Sequence, residues 1–173
     1  ASVRTGGTLG EAQSGGSFTL VDGEGVERRD SEFRGRHMLV YFGFTFCPDV
    51  CPTELQVMSA ALDQLGRLAD QVQPLFISID PERDTPAAMK DYVANFHPRL
   101  IGLTGSAEQV AQAAKAYRVY YRRNDARDAS QYLMDHSSIV YLMGSDGRYL
   151  AHFGPNTKPE TMAQAIRKHV GGG

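Results

Sequence analysis

The sequence has no tryptophan, only two cysteines and no long uninterrupted run of apolar residues. Two cysteines cannot build a disulfide-dense scaffold, and they are too few for a four-cysteine zinc site. No stretch approaches the roughly 20 apolar residues of a membrane span, so we predict no segment that crosses a bilayer. A strong charge of one sign is also missing. The 18 basic and 20 acidic residues give a net charge of −2, which argues against nucleic acid as a partner.

The residues that are present predict one globular domain between two flexible ends. The 173 residues are 42% hydrophobic and 22% charged, as in typical globular domains. Residues 1–16 are rich in glycine and serine and have no aromatic side chain, which predicts a flexible linker. Residues 171–173 are all glycine and predict a flexible tail. The predicted domain therefore covers residues 17–170.

Apolar patterning predicts alternating strands and helices. A β-hairpin is predicted at Asp22–Gly25 and another at Asp146–Gly147, since glycine supplies the positive φ of tight turns. A buried strand over 38–46 precedes a helix over 52–68. The other predicted elements are strands at 75–79, 100–103, 137–143 and 149–153 and helices at 85–96, 106–117 and 157–169. This order predicts an α/β sandwich with a mixed central sheet flanked by helices, and a thioredoxin-like fold fits it.

The two cysteines, Cys47 and Cys51, lie in the sequence FCPDVCP at 46–52, between a predicted strand and a predicted helix. Ligands of open α/β sheets bind beyond the C-terminal ends of strands, and a helix N-terminus stabilises a thiolate. If the helix begins early enough, positions i and i+4 share a face. The pair then predicts a disulfide or a clamp for one soft metal ion. The alternative is two buried structural cysteines.

A metal held by two thiolates needs a further ligand, and imidazole suits both Cu(I) and Zn(II). The pattern places three of the five histidines at the wrong edge of the sheet or near the tail: His37, His97 and His169. His136 comes just before the predicted strand 139–143. If that strand is antiparallel to 38–46, its start meets the cysteine loop. A locally bonded loop histidine remains the alternative, and His152 is the reserve candidate.

Acidic and basic residues near this edge have two interpretations each. Asp80 follows a predicted strand and can orient a ligand, tune a thiol pKa or contact a partner. Turn chemistry that caps the following helix is the alternative for Asp80, and for Asp84 it is the expectation. Residues 117–123 mix three tyrosines with three arginines. A solvated edge is expected there, with docking of an acidic partner as the alternative.

Four strings together resemble one protein family. They are YFGFT at 41–45, CPDVCP at 47–52, FISIDPERDT at 76–85 and DHSS at 135–138. Their order and spacing resemble the Sco/SenC proteins, copper metallochaperones for the assembly of cytochrome c oxidase. The likeness runs from about residue 16 to 170. Many members carry histidine just before the first cysteine, where this chain has Phe46.

The resemblance implies a thioredoxin-like fold with an extra N-terminal hairpin. It implies one copper per chain, as Cu(I) or Cu(II), bound by Cys47, Cys51 and His136. Asp80 and Asp135 are expected beside this site or in contact with a partner. The implied recipient is the binuclear copper site of cytochrome c oxidase subunit II, with a periplasmic copper donor or a thiol reductase as further partners.

The resemblance also implies a location. The linker at 1–16 is then the remnant of a membrane tether, an N-terminal helix that anchors the full-length protein. The implied site of action is the periplasmic side of a bacterial inner membrane, or alternatively the mitochondrial intermembrane space.

A rival hypothesis is an enzyme or redox sensor without an obligatory metal. As a thiol–disulfide oxidoreductase, one of Cys47 and Cys51 attacks a partner disulfide and the other resolves it. Thioredoxin-type exchangers usually carry Cys-x-x-Cys and a cis-proline facing it. This chain has three residues between its cysteines and no proline between 133 and 140. The pattern therefore favours a metal-binding protein that can also reduce cysteines. Peroxidase activity and zinc storage are the less favoured readings.

Overall fold

The computed structural model describes residues 15–47, 50–124 and 133–171. For Val50, Asn124 and residues 133–136 it describes the backbone only. The predicted linker therefore lies outside the described residues except for Gly15 and Gly16, and Gly15 donates a backbone hydrogen bond to Ala116 O. Among the described residues, every helix is too short or too polar to span a membrane.

Nine strands and four α-helices make up the described chain. The strands are β1 (Thr19–Asp22), β2 (Glu27–Arg29), β3 (His37–Gly43), β4 (Val72–Ser78), β5 (Ile101–Thr104), β6 (Tyr121–Asn124), β7 (Leu133–His136), β8 (Val140–Met143) and β9 (Tyr149–Phe153). The helices are α1 (Val50–Leu65), α2 (Pro86–Val93), α3 (Ala107–Ala116) and α4 (Pro159–Gly171). Short 3₁₀-helices cover Asp30–Phe33 and Gly66–Gln71.

Seven strands form one mixed sheet in the order β2-β1-β5-β4-β3-β8-β9. β3, β4 and β5 are parallel, whereas β8 is antiparallel to β3 and to β9. β1 and β2 form the predicted N-terminal hairpin, and β1 also pairs with β5. The predicted α/β class, with a mixed sheet flanked by helices, is confirmed.

The centre of the sheet is apolar because both faces of β3 and β4 are covered. Every residue of β4 is buried, and in β3 only His37 is partly exposed. α1 packs against α4, while α2 contacts β5 and β1. Thr85 caps α2 by accepting a hydrogen bond from the Ala88 N–H, and Pro86 opens that helix. A capping box of Ser106 and Gln109 begins α3.

The structure corrects the sequence prediction in two places near the cysteines. The strand predicted over 38–46 ends at Gly43, and the next helix begins at Val50 rather than at residue 52. β6 and β7 were not predicted at all, and they pair with each other as a separate two-stranded sheet. His136 therefore lies at the end of a strand, not in a loop. Both strands have only four residues and lack the apolar alternation that predicts strands.

Candidate metal centre

The topology brings three separate segments to one edge of the sheet. β3 and β4 are parallel, so the cysteine loop after β3 and the 80–84 turn after β4 leave the sheet at the same edge. Val140, at the start of the antiparallel β8, lies opposite Tyr41 near the end of β3. The residues before β8 therefore return to this edge, as the sequence predicted for an antiparallel strand.

The two cysteines lie at the junction of the loop and α1. Cys51 is in the first turn of the helix and fully buried, while Cys47 is 8% exposed. The cysteines are both among the described residues, and no disulfide joins them. The Cys51 N–H donates to Cys47 Sγ at 3.3 Å, so a helix N–H points at the first sulfur. An N–H donor favours negative charge on its acceptor, so this contact favours a thiolate at Cys47. A separate side-chain hydrogen bond with Cys47, followed by burial, raises the pKa of the Cys51 thiol.

Tyr41 connects the second cysteine with the chain that follows His136. Its side chain is fully buried, and burial raises the pKa of its hydroxyl group. Tyr41 Oη donates a hydrogen bond to Cys51 Sγ at 3.6 Å. It also lies within hydrogen-bond distance of Ser138 Oγ, at 3.2 Å. One hydroxyl group therefore contacts both the helix that carries Cys51 and the segment two residues beyond His136. The sequence offered no signal for this role, since Tyr41 reads as an ordinary core aromatic.

Asp84 fixes the cysteine loop to β4, a role that the sequence analysis missed. The buried carboxylate accepts hydrogen bonds from the Thr45 N–H at 3.1 Å, from Thr45 Oγ1 at 2.5 Å and from Ser78 Oγ at 2.7 Å. Burial raises the pKa of Asp84. The expectation that Asp84 serves the turn alone was wrong, since Thr85 is the residue that caps the helix. The sequence did contain a sign of this role, because the hydroxyl side chains of Thr45 and Ser78 lie near the ends of two neighbouring parallel strands.

Asp80 is buried at the same edge and pairs with Arg83. The Arg83 Nε–H donates to Asp80 Oδ2 at 2.6 Å, and Asp80 is 3% exposed. The Asp80 carbonyl also accepts the backbone N–H groups of Arg83 and Asp84, which is the turn chemistry proposed as its alternative role. The structure brings Asp80 to the predicted edge, and its influence on a metal stays a prediction.

The backbone of His136 is placed by strand pairing. His136 pairs with Tyr121 in the two-stranded sheet, and the next residue, Ser137, exchanges hydrogen bonds with the backbone of Tyr120. The side chains of His136 and Asp135 lie outside the described residues, so their predicted roles stay predictions. The described side chains alone contain no cluster of three metal-ligating residues.

The other histidines lie elsewhere. His37 begins β3, at the opposite end of that strand from the cysteine loop. His97 precedes the start of β5. His152 is exposed on β9, opposite Tyr141.

A thioredoxin-like sheet with two cysteines between its central strand and the following helix defines a class of thiol and metal proteins. Comparison with known sequences makes this more specific. The SCO1/SenC family model matches residues 6–171, and the chain belongs to this family.

Curated relatives agree with this membership. The chain is 46% identical over 157 residues to mouse "Protein SCO2 homolog, mitochondrial", which covers 90% of this chain and 62% of the relative. It is 44% identical over 164 residues to human "Protein SCO1 homolog, mitochondrial", which covers 94% of this chain and 54% of the relative. The chain thus spans a little over half the length of these curated relatives.

Solved structures share the fold over nearly the whole chain. The copper-bound structure of Arabidopsis thaliana ScoI superimposes with a TM-score of 0.86 at 39% identity, covering 92% of this chain and 99% of that one. The copper-bound structure of Bradyrhizobium japonicum ScoI gives a TM-score of 0.83 at 42% identity, covering 90% and 99%. The predicted thioredoxin-like fold is therefore confirmed, in the form that these Sco proteins share.

Proposed function

We propose that this chain is a copper metallochaperone that binds one copper ion through Cys47, Cys51 and His136. The observation that carries the proposal is the meeting of the cysteine loop and the 137–139 segment at one edge of the sheet, with Tyr41 Oη in contact with both. Two thiolates and one imidazole suit a soft ion such as Cu(I). The copper-bound relatives from Arabidopsis and Bradyrhizobium support the choice of metal.

The proposed recipient is the binuclear copper site of cytochrome c oxidase subunit II. A site at the edge of a sheet is open to a partner, and Cys47 remains slightly exposed there. The proposed place of action is the periplasmic side of a bacterial membrane. The mitochondrial intermembrane space is the alternative, and the similarity to the mitochondrial proteins of mouse and human supports it. Membrane anchoring of the full-length protein is part of the same proposal.

A second candidate function is reduction of a partner disulfide. The difference between the two cysteines favours it: Cys47 is the more exposed, and its sulfur accepts a helix N–H. In this reaction the Cys47 thiolate attacks one sulfur of the partner disulfide and releases the other as a thiolate. Cys51 then loses its proton and attacks Cys47 Sγ, which breaks the mixed disulfide and releases the second sulfur of the partner as a thiol. The partner gains two electrons, and Cys47 and Cys51 become a disulfide. This step would prepare the cysteines of a recipient for copper.

The first experiment is an anaerobic titration of the fully reduced protein with Cu(I) against a competing chelator. We expect one tightly bound copper per chain. The His136→Ala variant should bind at least about 100-fold more weakly, beyond the loss typical of residues that only support a metal ligand. The matched control is His152→Ala, which removes an exposed histidine on β9 and should leave the affinity unchanged. An affinity indifferent to His136 would move the assignment to the thiol–disulfide exchanger.

Oxidation gives an independent test of the two sulfurs. When Cys47 and Cys51 form a disulfide, neither remains as a thiolate ligand, so we expect Cu(I) binding to disappear. Mass spectrometry under native conditions, before and after oxidation, measures the stoichiometry directly. Copper retained at one per chain after complete oxidation would contradict the proposed ligand set.

A further inference from the structure

An exposed aromatic ring beside the first cysteine has a cation against its face. Phe46 directly precedes Cys47 and is 52% exposed, an unusual position for a large apolar side chain. The guanidinium carbon of Arg83 lies 4.1 Å from the centre of the Phe46 ring. This distance is well within the roughly 6 Å over which a cation is attracted to an aromatic face. Phe46 thus has a specific partner.

Arg83 is itself held in place by the turn after β4. Its Nε–H donates to the buried carboxylate of Asp80 at 2.6 Å, and its side chain is only 13% exposed. The planar guanidinium group can donate hydrogen bonds from its edge while its face stacks on a ring. Arg83 therefore joins the 80–84 turn to the residue next to Cys47.

The loop has other contacts as well, and the guanidinium carbon of Arg83 also lies 6.0 Å from the centre of the Phe44 ring. Thr45 is hydrogen-bonded to Asp84, and the Cys47 N–H donates to Phe44 O at a long 3.3 Å. The contact between Phe46 and Arg83 adds a restraint on the solvent side, one residue before the sulfur. A phenyl ring is neutral at every pH, so this attraction does not depend on protonation of the ring. An imidazole at the same place would gain a positive charge in acid and would then repel Arg83.

We propose that Phe46 and Arg83 form a latch that holds Cys47 in its binding position and thereby slows the release of bound copper. The latch is defined by these two side chains, with Asp80 as its anchor. Phe46 and Arg83 act through Cys47 and are positioning residues. The part of this proposal that concerns copper rests on the proposed function, whereas the part that concerns the loop does not.

The loop is tested in the reduced, copper-free protein by hydrogen exchange at the backbone amides of Thr45 and Cys47. Phe46→Leu keeps an apolar side chain without an aromatic face, and Arg83→Lys keeps the charge without the planar fork. An exposed cation–π contact corresponds to about a two- to five-fold change in the opening equilibrium, so each variant should speed exchange by that factor. The double variant should be no faster than the faster single variant, because the contact between Phe46 and Arg83 that one substitution removes is already lost in the other. Unchanged single variants, or effects that multiply, would overturn the latch.

A substitution that introduces a titratable ring makes the expected change in exchange rate depend on pH. In Phe46→His, the exchange rates relative to the wild type at the same pH should stay near one at about pH 8 and rise below about pH 6, where the imidazole becomes positively charged. A ratio that is independent of pH would contradict the stacking of Arg83 on this ring. The matched control is Val26→Ala, which alters another exposed apolar side chain, on the β1–β2 turn, and should change neither exchange nor copper release.

Copper release is then measured by stopped-flow transfer of Cu(I) to an excess of chelator. Phe46→Leu should release copper about two- to five-fold faster than the wild type, and its unfolding equilibrium constant should rise by no more than the same factor. Faster exchange without faster release would overturn the role of the latch in copper release. A wild-type protein that binds no copper would instead refute the proposed function, and the exchange measurements would still decide whether the latch exists.

Discussion

Two buried tyrosines differ in what their hydroxyl groups contact. Tyr41 Oη is hydrogen-bonded to Ser138 and lies against Cys51 Sγ. Tyr117 is equally buried, packs against the rings of Phe42 and Tyr141, and its hydroxyl group has no hydrogen-bond partner among the described residues. An unpaired buried polar group costs free energy, whereas a paired one contributes about 1 kcal/mol. The same substitution should therefore have opposite consequences at the two positions.

We predict that Tyr41→Phe lowers the free energy of unfolding by about 1–2 kcal/mol, because it leaves Ser138 without its partner. Tyr117→Phe should leave the stability unchanged or raise it, since it removes an oxygen that is buried without a partner. Denaturant unfolding of the reduced protein measures both. Equal losses at the two positions would show that the contact of Tyr41 with Ser138 contributes nothing specific.

The sequence predicts the positions of some residues at the site but not the contacts of others. The placement of Cys47, Cys51 and Asp80 at one edge follows from strand order, because parallel strands end at the same side of a sheet. The contacts of Tyr41, Asp84 and the latch were not predictable. The contacts of Tyr41 with Ser138, of Thr45 with Asp84 and of Phe46 with Arg83 each join residues that are 37 or more positions apart, and no local pattern records such packing.

The end of β3 packs closely against the start of α1. A Cβ atom on Gly43 would lie 2.7 Å from Cys51 Sγ and 2.9 Å from Phe76 Cε1, closer than real Cβ contacts. The absence of a side chain at Gly43 thus allows the helix to bring its second cysteine onto the strand.

We predict that Gly43→Ala lowers the free energy of unfolding by about 1–3 kcal/mol, the usual range for overpacking a core, and displaces Cys51. The matched control is Gly154→Ala, where an added Cβ would have no neighbour within 4 Å. That substitution should be neutral or slightly stabilising. Thermal unfolding of both variants makes the comparison, and a Gly43 variant as stable as the Gly154 variant would contradict the close packing.

The elements that the sequence analysis found and missed also differ physically. β3 and β4 were found because each carries a continuous run of apolar residues, and α1 because its apolar residues repeat with a helix period. β6 and β7 have four residues each and form a sheet only with each other. Their pairing partner lies in a different part of the sequence, so neither strand carries a sufficient signal alone. The failure to predict β7 matters because His136, a candidate metal ligand, belongs to this strand.

Burial shifts the pKa values of ionisable groups in opposite directions with respect to stability in acid, and the two kinds of group lie at opposite edges of the sheet. Burial raises the pKa values of Glu54 and Asp84, which lie near the candidate site. Folding therefore favours their protonated forms, and this contribution to stability is lost as the pH rises above their ordinary values of 4.5 and 3.8. At the other edge, burial lowers the pKa values of His37 and His97. Their contribution is present above pH 6.5 and is lost as the pH falls below it.

We predict that His97→Asn makes the stability of the protein less sensitive to mild acid. Nδ1 of His97 accepts the Arg99 N–H at 3.2 Å, which requires an unprotonated nitrogen, while Asp63 is 3.9 Å away and partly opposes the loss. Asparagine offers an oxygen that does not titrate. The free energy of unfolding should fall less in the variant than in the wild type between about pH 7.5 and pH 5.5. Parallel curves for the two proteins would show that His97 does not govern this slope.

The order of strands in the sheet has a consequence for how the chain folds during synthesis. β3 gains one neighbour when β4 emerges, but its other neighbour is β8, where Met38 pairs with Met143. Until that late segment leaves the ribosome, the central strand of the molecule presents an open apolar edge, which is the kind of surface that invites aggregation. Pairing over such a separation is also slow, because a long loop must close first. The strand that leads into Cys47 is therefore among the last to be completed, and the candidate metal centre is complete only after most of the chain has folded.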